Sequence, residues 1–163
     1  MLERFKNSNT PDGVRHFKVK GYKMRLSLEK VLVLKNISAF ADVSESALSD
    51  FIYASEEIAF PKGKDIIKKG EVNKYLYILL AGIVQVHDGD TILSEAQTQE
   101  MFGEMTALCP SQIDATVTAV QDTLALRISS ENLYEMMTLH PNISKGIIKT
   151  LVSRLKVLDN RHI

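Results

Sequence analysis

One stretch in the second half of the chain combines residue types that can hold a small polar ligand. Gly103 lets the backbone approach a ligand closely, and the carboxylate of Glu104 can accept a hydrogen bond from a ligand hydroxyl. A short helix that opens near Glu104 would point free N–H groups and the positive end of its dipole toward an anion. These residues therefore indicate ligand binding as their chemistry.

The sequence contains no catalytic or metal-binding pattern. Cys109 is the only cysteine, which excludes a disulfide framework and a cysteine-based metal site. The four histidines have no ligand spacing, and no nucleophile–base pair or phosphate-binding P-loop occurs. We therefore expect no enzymatic activity, no metal and no resident cofactor, and we interpret Cys109 as a buried or loop thiol.

Length and composition indicate one globular domain with an appendage. The chain has 163 residues, of which 45% are hydrophobic and 25% are charged. Its longest apolar run, residues 75–84, is too short to span a bilayer, and the first residues lack the apolar core of a secretory signal. A cytoplasmic location is the expectation that follows.

The net charge is zero, but the charges are unevenly distributed. Residues 1–25 carry seven basic side chains against two acidic ones, a net charge of +5 that leaves −5 on the remainder. Such a segment can bind nucleic acid, anionic lipid or an acidic partner, or it can be a solvated linker. Because its charges are not clustered and few aromatic residues interleave them, we interpret residues 1–26 as a basic irregular arm or linker.

The folded domain is predicted to span residues 27–163 and to begin with two helices. Leu28 to Leu34 is a short apolar stretch with helical spacing, and Ser44 is a suitable N-cap for the helix that follows. The second helix is predicted to bury one apolar face, formed by Ala47, Leu48, Phe51 and Ile52.

A β-rich region is predicted for about residues 55–129. Short β-branched and aromatic runs alternate there with glycine-containing turns, which is typical of an antiparallel sandwich or barrel. The pair Asp88-Gly89 predicts a hairpin turn. Residues 115–119 alternate apolar side chains with threonines, and residues 124–128 alternate large aliphatic side chains with Ala125 and Arg127. Both runs are interpreted as half-buried strands.

Two helices are predicted for about residues 130–160. The first begins at Ser129 or Ser130 and ends at His140, and Pro141 is well placed to open the second. An apolar stripe with 3-4-3 spacing runs along the second helix through Ile148, Leu151, Leu155 and Leu158. This stripe can be a dimer seam or can pack on its own domain, and the pattern leaves both alternatives open.

The order of these motifs resembles the cyclic nucleotide-binding domains of kinase regulatory subunits, gated channels and bacterial cAMP receptors. Their phosphate-binding cassette has the pattern F-G-E-[LIM]-A-L, a short loop, and R-x-A-[TSW]-V, which is similar to residues 102–108 followed by 115–117. The similarity extends from about Leu28 to Asp159 and includes glycines of the family's β-roll at Gly63, Gly70 and Gly82. The resemblance implies a mainly β fold, an eight-stranded antiparallel jelly-roll with N-terminal helices and a long C-terminal helix.

The resemblance also implies a candidate ligand pocket, formed by the cassette and the loop after it. The pocket residues are Phe102, Gly103, Glu104, Met105, Ile113, Asp114, Ala115 and Thr116. Glu104 can either bind a ribose hydroxyl or cap local backbone N–H groups. Met105 is expected to fill the core, as is Met101.

Several positions depart from the family pattern. Ile113 stands where the family has the arginine that pairs with the cyclic phosphate, and Asp114 adds a negative charge beside it. Gln99 replaces a family glycine, and Leu158 stands where the bacterial receptor reads the base with threonine. Losing one partner of a buried charge pair costs about 2–5 kcal/mol, very roughly 30-fold to several thousand-fold in affinity. We therefore expect weak or no binding of cAMP and cGMP.

The resulting hypothesis is a non-catalytic regulatory or interaction module, alone or as part of a larger regulator or transporter. The alternative is a working sensor, either of a less acidic small molecule or of a cyclic nucleotide held by a substitute cation such as Lys145, Lys149 or Arg154. A transcription factor of the bacterial receptor type is not favoured, because the sequence ends at Ile163, soon after the long helix, and no DNA binding is expected. The expected partners are a second copy through the C-terminal helix, another protein, or other domains of a parent chain.

Overall fold

A computed structural model of the chain describes residues 2–4, 17–19 and 27–160. The first two segments are the strands β1 (Leu2–Arg4) and β2 (Phe17–Val19), which pair antiparallel with Leu2 opposite Val19. The sequence did not predict them, because a three-residue strand is too short to establish a periodicity. The rest of the predicted arm lies outside the described residues.

Two helices and a 3-10 turn precede the main sheets. Helix α1 spans Ser27–Lys35, the turn spans Ser38–Phe40, and helix α2 spans Glu45–Tyr53. The N–H of Ala47 donates to the hydroxyl of Ser44 at 3.2 Å, which confirms Ser44 as the N-cap of α2.

Eight strands and a short helix follow. In chain order they are β3 (Glu56–Phe60), β4 (Asp65–Ile67), β5 (Tyr75–Ala81), β6 (Ile83–Asp88), β7 (Thr91–Gln97), β8 (Met101–Phe102), α3 (Glu104–Leu108), β9 (Thr116–Ala119) and β10 (Thr123–Ser129). One antiparallel sheet has the order β3-β10-β5-β8 and the other has the order β4-β9-β6-β7. The turn at Asp88 and Gly89 joins β6 to β7, as predicted, with Gly89 at φ 56°. The mainly β jelly-roll fold with flanking helices is thereby confirmed.

The fold has three layers, with the sheet β3-β10-β5-β8 in the middle. On one side of this sheet Ile78 and Leu126 pack with Phe40 and Phe51 of the helical layer. On the other side Ala125 packs with the second sheet and is fully buried. The prediction of a half-buried strand is therefore wrong for β10, because a helical layer and a second sheet cover its two faces.

Two C-terminal helices complete the helical layer, as predicted. Helix α4 spans Ser130–Leu139 and is capped by Ser129, and helix α5 spans Pro141–Asp159 with the proline in its first turn. Gly146 allows α5 to touch the 3-10 turn, since a Cβ there would lie 1.6 Å from the carbonyl oxygen of Ala39. The first half of α5 therefore packs on its own domain, whereas residues 152–160 are exposed.

Candidate functional site

A left-handed glycine sets the geometry of the cassette. Strand β8 ends at Phe102, Gly103 follows with φ 78°, and α3 begins at Glu104. A Cβ at Gly103 would lie 2.7 Å from the carbonyl oxygen of Tyr75, so a side chain at this position would collide with the neighbouring strand. The predicted short helix near Glu104 is confirmed.

The cassette is braced from the side of β5. The amide of Asn73, 6% exposed, donates to the carbonyl oxygen of Tyr75 at 2.7 Å and to the hydroxyl of Thr106 at 3.0 Å. Phe102 stacks on Tyr77 with a centroid distance of 4.9 Å. These contacts hold α3 at a fixed position over the sheet edge.

Glu104 is buried, and its carboxylate accepts a hydrogen bond from the guanidinium of Arg154 on α5. Arg154 also donates to the carbonyl oxygen of Met101 at 3.0 Å. Of the two roles considered for Glu104, capping of local backbone N–H groups is not what the structure shows, since the charged partner comes from a distant helix. Arg154, one of the three candidate cations on the last helix, is thereby brought to the cassette.

Ile113 lies in the loop that precedes β9. Its backbone pairs with the turn at Gly70, where the Gly70 N–H donates to the Ile113 carbonyl oxygen at 2.8 Å and the Ile113 N–H donates to the Glu71 carbonyl oxygen at 3.0 Å. The Ile113 side chain is half-buried against the core between the two sheets, while Asp114 is exposed. At the position compared by sequence with the family's arginine, the side chain is therefore apolar and uncharged.

The two remaining loop residues differ in exposure. Ala115 is buried, whereas Thr116, at the start of β9, is half-buried and accepts a hydrogen bond from the Lys69 N–H at 3.1 Å. The Thr116 hydroxyl thus supports the neighbouring turn.

The prediction that Met105 fills the core is wrong. Met105 is 70% exposed, because it lies on the outer face of α3, whereas Met101 is buried as expected. Cys109 caps the C-terminal end of α3 and is exposed, which agrees with the loop alternative.

Helix α3 is attached to α4 by contacts that the sequence did not predict. The hydroxyls of Ser130 and Tyr134 donate to the carbonyl oxygens of Ala107 and Leu108, respectively. Serine and tyrosine on a helix are common, so nothing in the sequence distinguishes these two from surface residues. Their bonds satisfy carbonyl groups that the end of a short helix leaves free.

The stripe on α5 is largely uncovered. Ile148, Leu155 and Leu158 are 56%, 59% and 52% exposed, and Leu151 is half-buried. On the same helix, Lys149 lies 3.8 Å from Asp42, and both side chains are well exposed. Lys149 therefore pairs with Asp42 and not with Glu104 of the cassette.

Residues 57–140 match the family of the cyclic nucleotide-binding domain. The chain belongs to this family. It is 25% identical over 133 residues to the CRP-like cAMP-activated global transcriptional regulator of Mycobacterium tuberculosis, covering 78% of this chain and 59% of that protein. It is 28% identical over 128 residues to the potassium channel KAT2 of Arabidopsis thaliana, covering 76% of this chain and 18% of the channel.

A solved structure has the same fold. The catabolite activator protein of Thermus thermophilus superposes with a TM-score of 0.71 at 24% identity, covering 76% of this chain and 61% of that protein. The chain spans less than two thirds of the length of each of these three relatives.

Gln99 has a backbone conformation that suits glycine. It is the one non-glycine residue with positive φ within the described ranges, at 70°, and it stands where the family pattern has glycine. Gly63, Gly70 and Gly82 have φ values of 85°, 87° and 104°, as expected for turns of the β-roll. The backbone at Gln99 thus adopts a conformation that glycine adopts more readily than a residue with a Cβ.

Within the described residues, no group of three or more histidine, cysteine or carboxylate side chains could hold a metal ion. In the same part of the chain, no helix is both long and apolar enough to cross a bilayer.

Proposed function

We propose that the chain is a non-catalytic regulatory or interaction module of the cyclic nucleotide-binding fold with weak or no affinity for cAMP and cGMP. The observation that carries the proposal is Ile113, a half-buried aliphatic side chain at the arginine position of the family pattern. A cyclic phosphate placed there would lose its ordinary hydration and gain no charged partner from this residue. The exposed carboxylate of Asp114 beside it adds repulsion.

The burial of Glu104 and its ion pair with Arg154 support the same proposal. A ribose hydroxyl would have to share or displace the Arg154 guanidinium on a carboxylate that is only 4% exposed. A hydroxyl is a neutral donor, and hydrogen bonds between two ions are the stronger kind. The intramolecular pair therefore competes with a nucleotide for the sugar-binding carboxylate.

Calorimetric titration of the intact chain with cAMP and with cGMP, each up to millimolar concentration, tests the proposal. We expect no saturable heat below about 100 μM ligand, because the absence of an arginine to pair with the phosphate alone costs about 2–5 kcal/mol of binding free energy. Saturable binding of either nucleotide in the micromolar range or tighter would contradict it.

A small-molecule sensor is the second candidate, and one observation favours it. The Arg154 side chain is 47% exposed and places its guanidinium beside the cassette, so an anionic ligand could use it in place of the missing arginine. If this is the function, Arg154→Lys will weaken ligand binding and Arg154→Met will abolish it, both measured under conditions in which the variants are folded.

Association through α5 is part of the proposal. The exposed apolar stripe of Ile148, Leu155 and Leu158 fits a pairing of two copies through α5, in keeping with its 3-4-3 spacing. Because this chain matches only part of its longer relatives, other domains of a parent protein are a further set of partners. We place the module in the cytoplasm.

A further inference from the structure

A surface cleft lies between the ends of α2 and α4, across α4 from the cassette. Its volume is about 500 Å³, in the range of ligand-binding clefts, and its wall includes Tyr53, Met136 and Leu139. Tyr53 is 93% exposed and Leu139 is 60% exposed, while Met136 is buried beneath them. The cleft therefore presents an apolar floor with two uncovered apolar side chains at its rim.

The charge of the cleft is negative. Asp50, Glu56 and Glu135 line it, and among the residues that the structure describes no lysine or arginine does. Asp50 accepts from His140 at 3.0 Å and Glu56 accepts from Arg127 at 2.6 Å, but both carboxylates stay more than half exposed. Glu135 is exposed, and it forms no ion pair with any lysine, arginine or histidine in the described part of the chain.

The backbone adds to this negative potential. Helix α2 ends at Tyr53 and α4 ends at Leu139, so both helices turn their C-terminal ends toward the cleft. Neither helix has a basic residue in its last turn to offset the partial negative charge of its end. Cations are therefore favoured in this cleft by three carboxylates and by two helix ends.

The cleft is mechanically connected to the cassette. Helix α4 forms one wall, and on its other side Ser130 and Tyr134 bond to the carbonyl groups of α3. Asn132 fixes α4 to α2 through a 3.1 Å hydrogen bond to the carbonyl oxygen of Ala54. A partner in the cleft would contact the helix that holds the cassette in place.

We propose that this cleft docks a basic segment of a partner protein, in which a lysine or arginine neighbours an aromatic or aliphatic side chain. The cation lies among Asp50, Glu56 and Glu135, and the apolar side chain packs on Tyr53 and Met136. Tyrosine is among the residue types that contribute most to the binding energy of protein interfaces. The inference rests on the proposed role as an interaction module.

The test uses the intact chain and a labelled nine-residue peptide with the sequence of residues 17–25, which has four basic and no acidic side chains and contains two aromatic residues. Fluorescence anisotropy gives the affinity, and the ¹³C-methyl NMR signal of Met136 reports the location. We expect saturable binding that weakens as salt is raised, with a shift of the Met136 methyl signal. A peptide with glutamine at the four basic positions is expected not to bind.

Variants of exposed residues separate this site from general attraction to an acidic surface. Tyr53→Ala is expected to weaken binding about tenfold or more, and Glu135→Gln about threefold. Glu45→Gln, an exposed carboxylate in the first turn of α2, removes the same charge away from the cleft and is expected to leave the affinity unchanged. These exposed substitutions should leave the fold intact.

Three outcomes would overturn the proposal. The first is that the peptide shows no saturable binding at low salt, and the second is that Glu135→Gln and Glu45→Gln change its affinity equally. The third is that the Met136 signal shifts when the chain's own Lys20, Lys23 and Arg25 are replaced by glutamine but does not shift when the peptide is added. The last result would mean that the chain's own basic residues fill the cleft. Because the nucleotide titration is a separate measurement, failure here is distinguishable from failure of the proposed weak nucleotide binding.

Discussion

The guanidinium of Arg154 on α5 donates to the carboxylate of Glu104, 50 residues earlier in the chain, at the first position of α3. The two partners are unequally buried, with 47% of the Arg154 side chain exposed and 4% of the Glu104 side chain exposed. Beyond Leu151 the helix is otherwise exposed, so this pair fixes the distal half of α5 against the cassette.

Unequal burial predicts unequal mutational costs for this pair. Arg154→Met leaves a buried carboxylate without its charged partner and should lower the free energy of unfolding by about 2–3 kcal/mol. Glu104→Gln leaves an arginine that can turn to solvent and should cost about 1 kcal/mol or less. Urea unfolding followed by circular dichroism measures the free energy of unfolding of both variants. Equal decreases would contradict the inference that burial of Glu104 makes the loss of Arg154 the more costly change.

Restoring the family charge should create nucleotide binding. Ile113→Arg places a guanidinium in the loop that precedes β9, and we expect the affinity of this variant for cAMP to be about 30-fold or more above that of the unmodified chain. Ile113→Met keeps an uncharged side chain of similar size and is the matched control. Calorimetry on both variants measures the effect, and equal affinities would mean that the arginine is not the decisive loss.

Gly146→Ala should separate α5 from the 3-10 turn. The added Cβ meets the carbonyl oxygen of Ala39, a backbone atom that cannot rotate away, so the helix must shift. We expect a loss of about 3 kcal/mol in thermal or urea unfolding, at the upper end of overpacking costs. Lys145→Ala, on the exposed side of the same helix turn, should change stability by about 0.5 kcal/mol or less.

Gln99→Gly should stabilise the protein. A left-handed conformation costs a residue with a Cβ about 1–2 kcal/mol, and the greater freedom of glycine in the unfolded chain offsets part of this gain. The expected net increase in unfolding free energy is up to about 1 kcal/mol. Gln97→Gly, in β7 where φ is not positive, is the control and should destabilise by about 0.5–1 kcal/mol.

The proposed seam on α5 can be tested by charge. Leu155→Glu places a carboxylate in the exposed stripe and should shift sedimentation from dimer to monomer at micromolar concentrations, since it would bury a charge between the helices. Ser153→Glu adds the same charge to an exposed position outside the stripe and should leave the dimer intact. An unmodified chain that sediments as a monomer at about 100 μM would argue against this interface.

Local signals predicted most of the fold. The cap at Ser44, the turn at Gly89 and the proline that opens α5 act within a few residues, and each lies where the sequence indicated. The burial of Ala125 could not be predicted in this way, because it depends on a second sheet packing over β10.

The candidate site was predicted in part for the same reason. The start of α3 near Glu104 is local and was expected, whereas the left-handed conformation of Gly103 was not predicted. The partner of Glu104 was not predicted either, because it depends on how α5 is rotated over the roll. The outward position of Met105 was also missed, since a five-residue helix is too short for periodicity to identify its buried side.

The contact between α5 and the 3-10 turn has a consequence for synthesis of the protein. The Asn142 side chain bonds to the Asp42 carbonyl across 100 residues, and Ile143 and Ile147 belong to the same core as Phe40. At ribosomal rates of about 5–20 residues per second, roughly 5–20 s pass between translation of the 3-10 turn and translation of the part of α5 that packs on it. During that interval the apolar residues that α5 later covers stay exposed on the nascent chain, so the helical layer cannot close until α5 has been made.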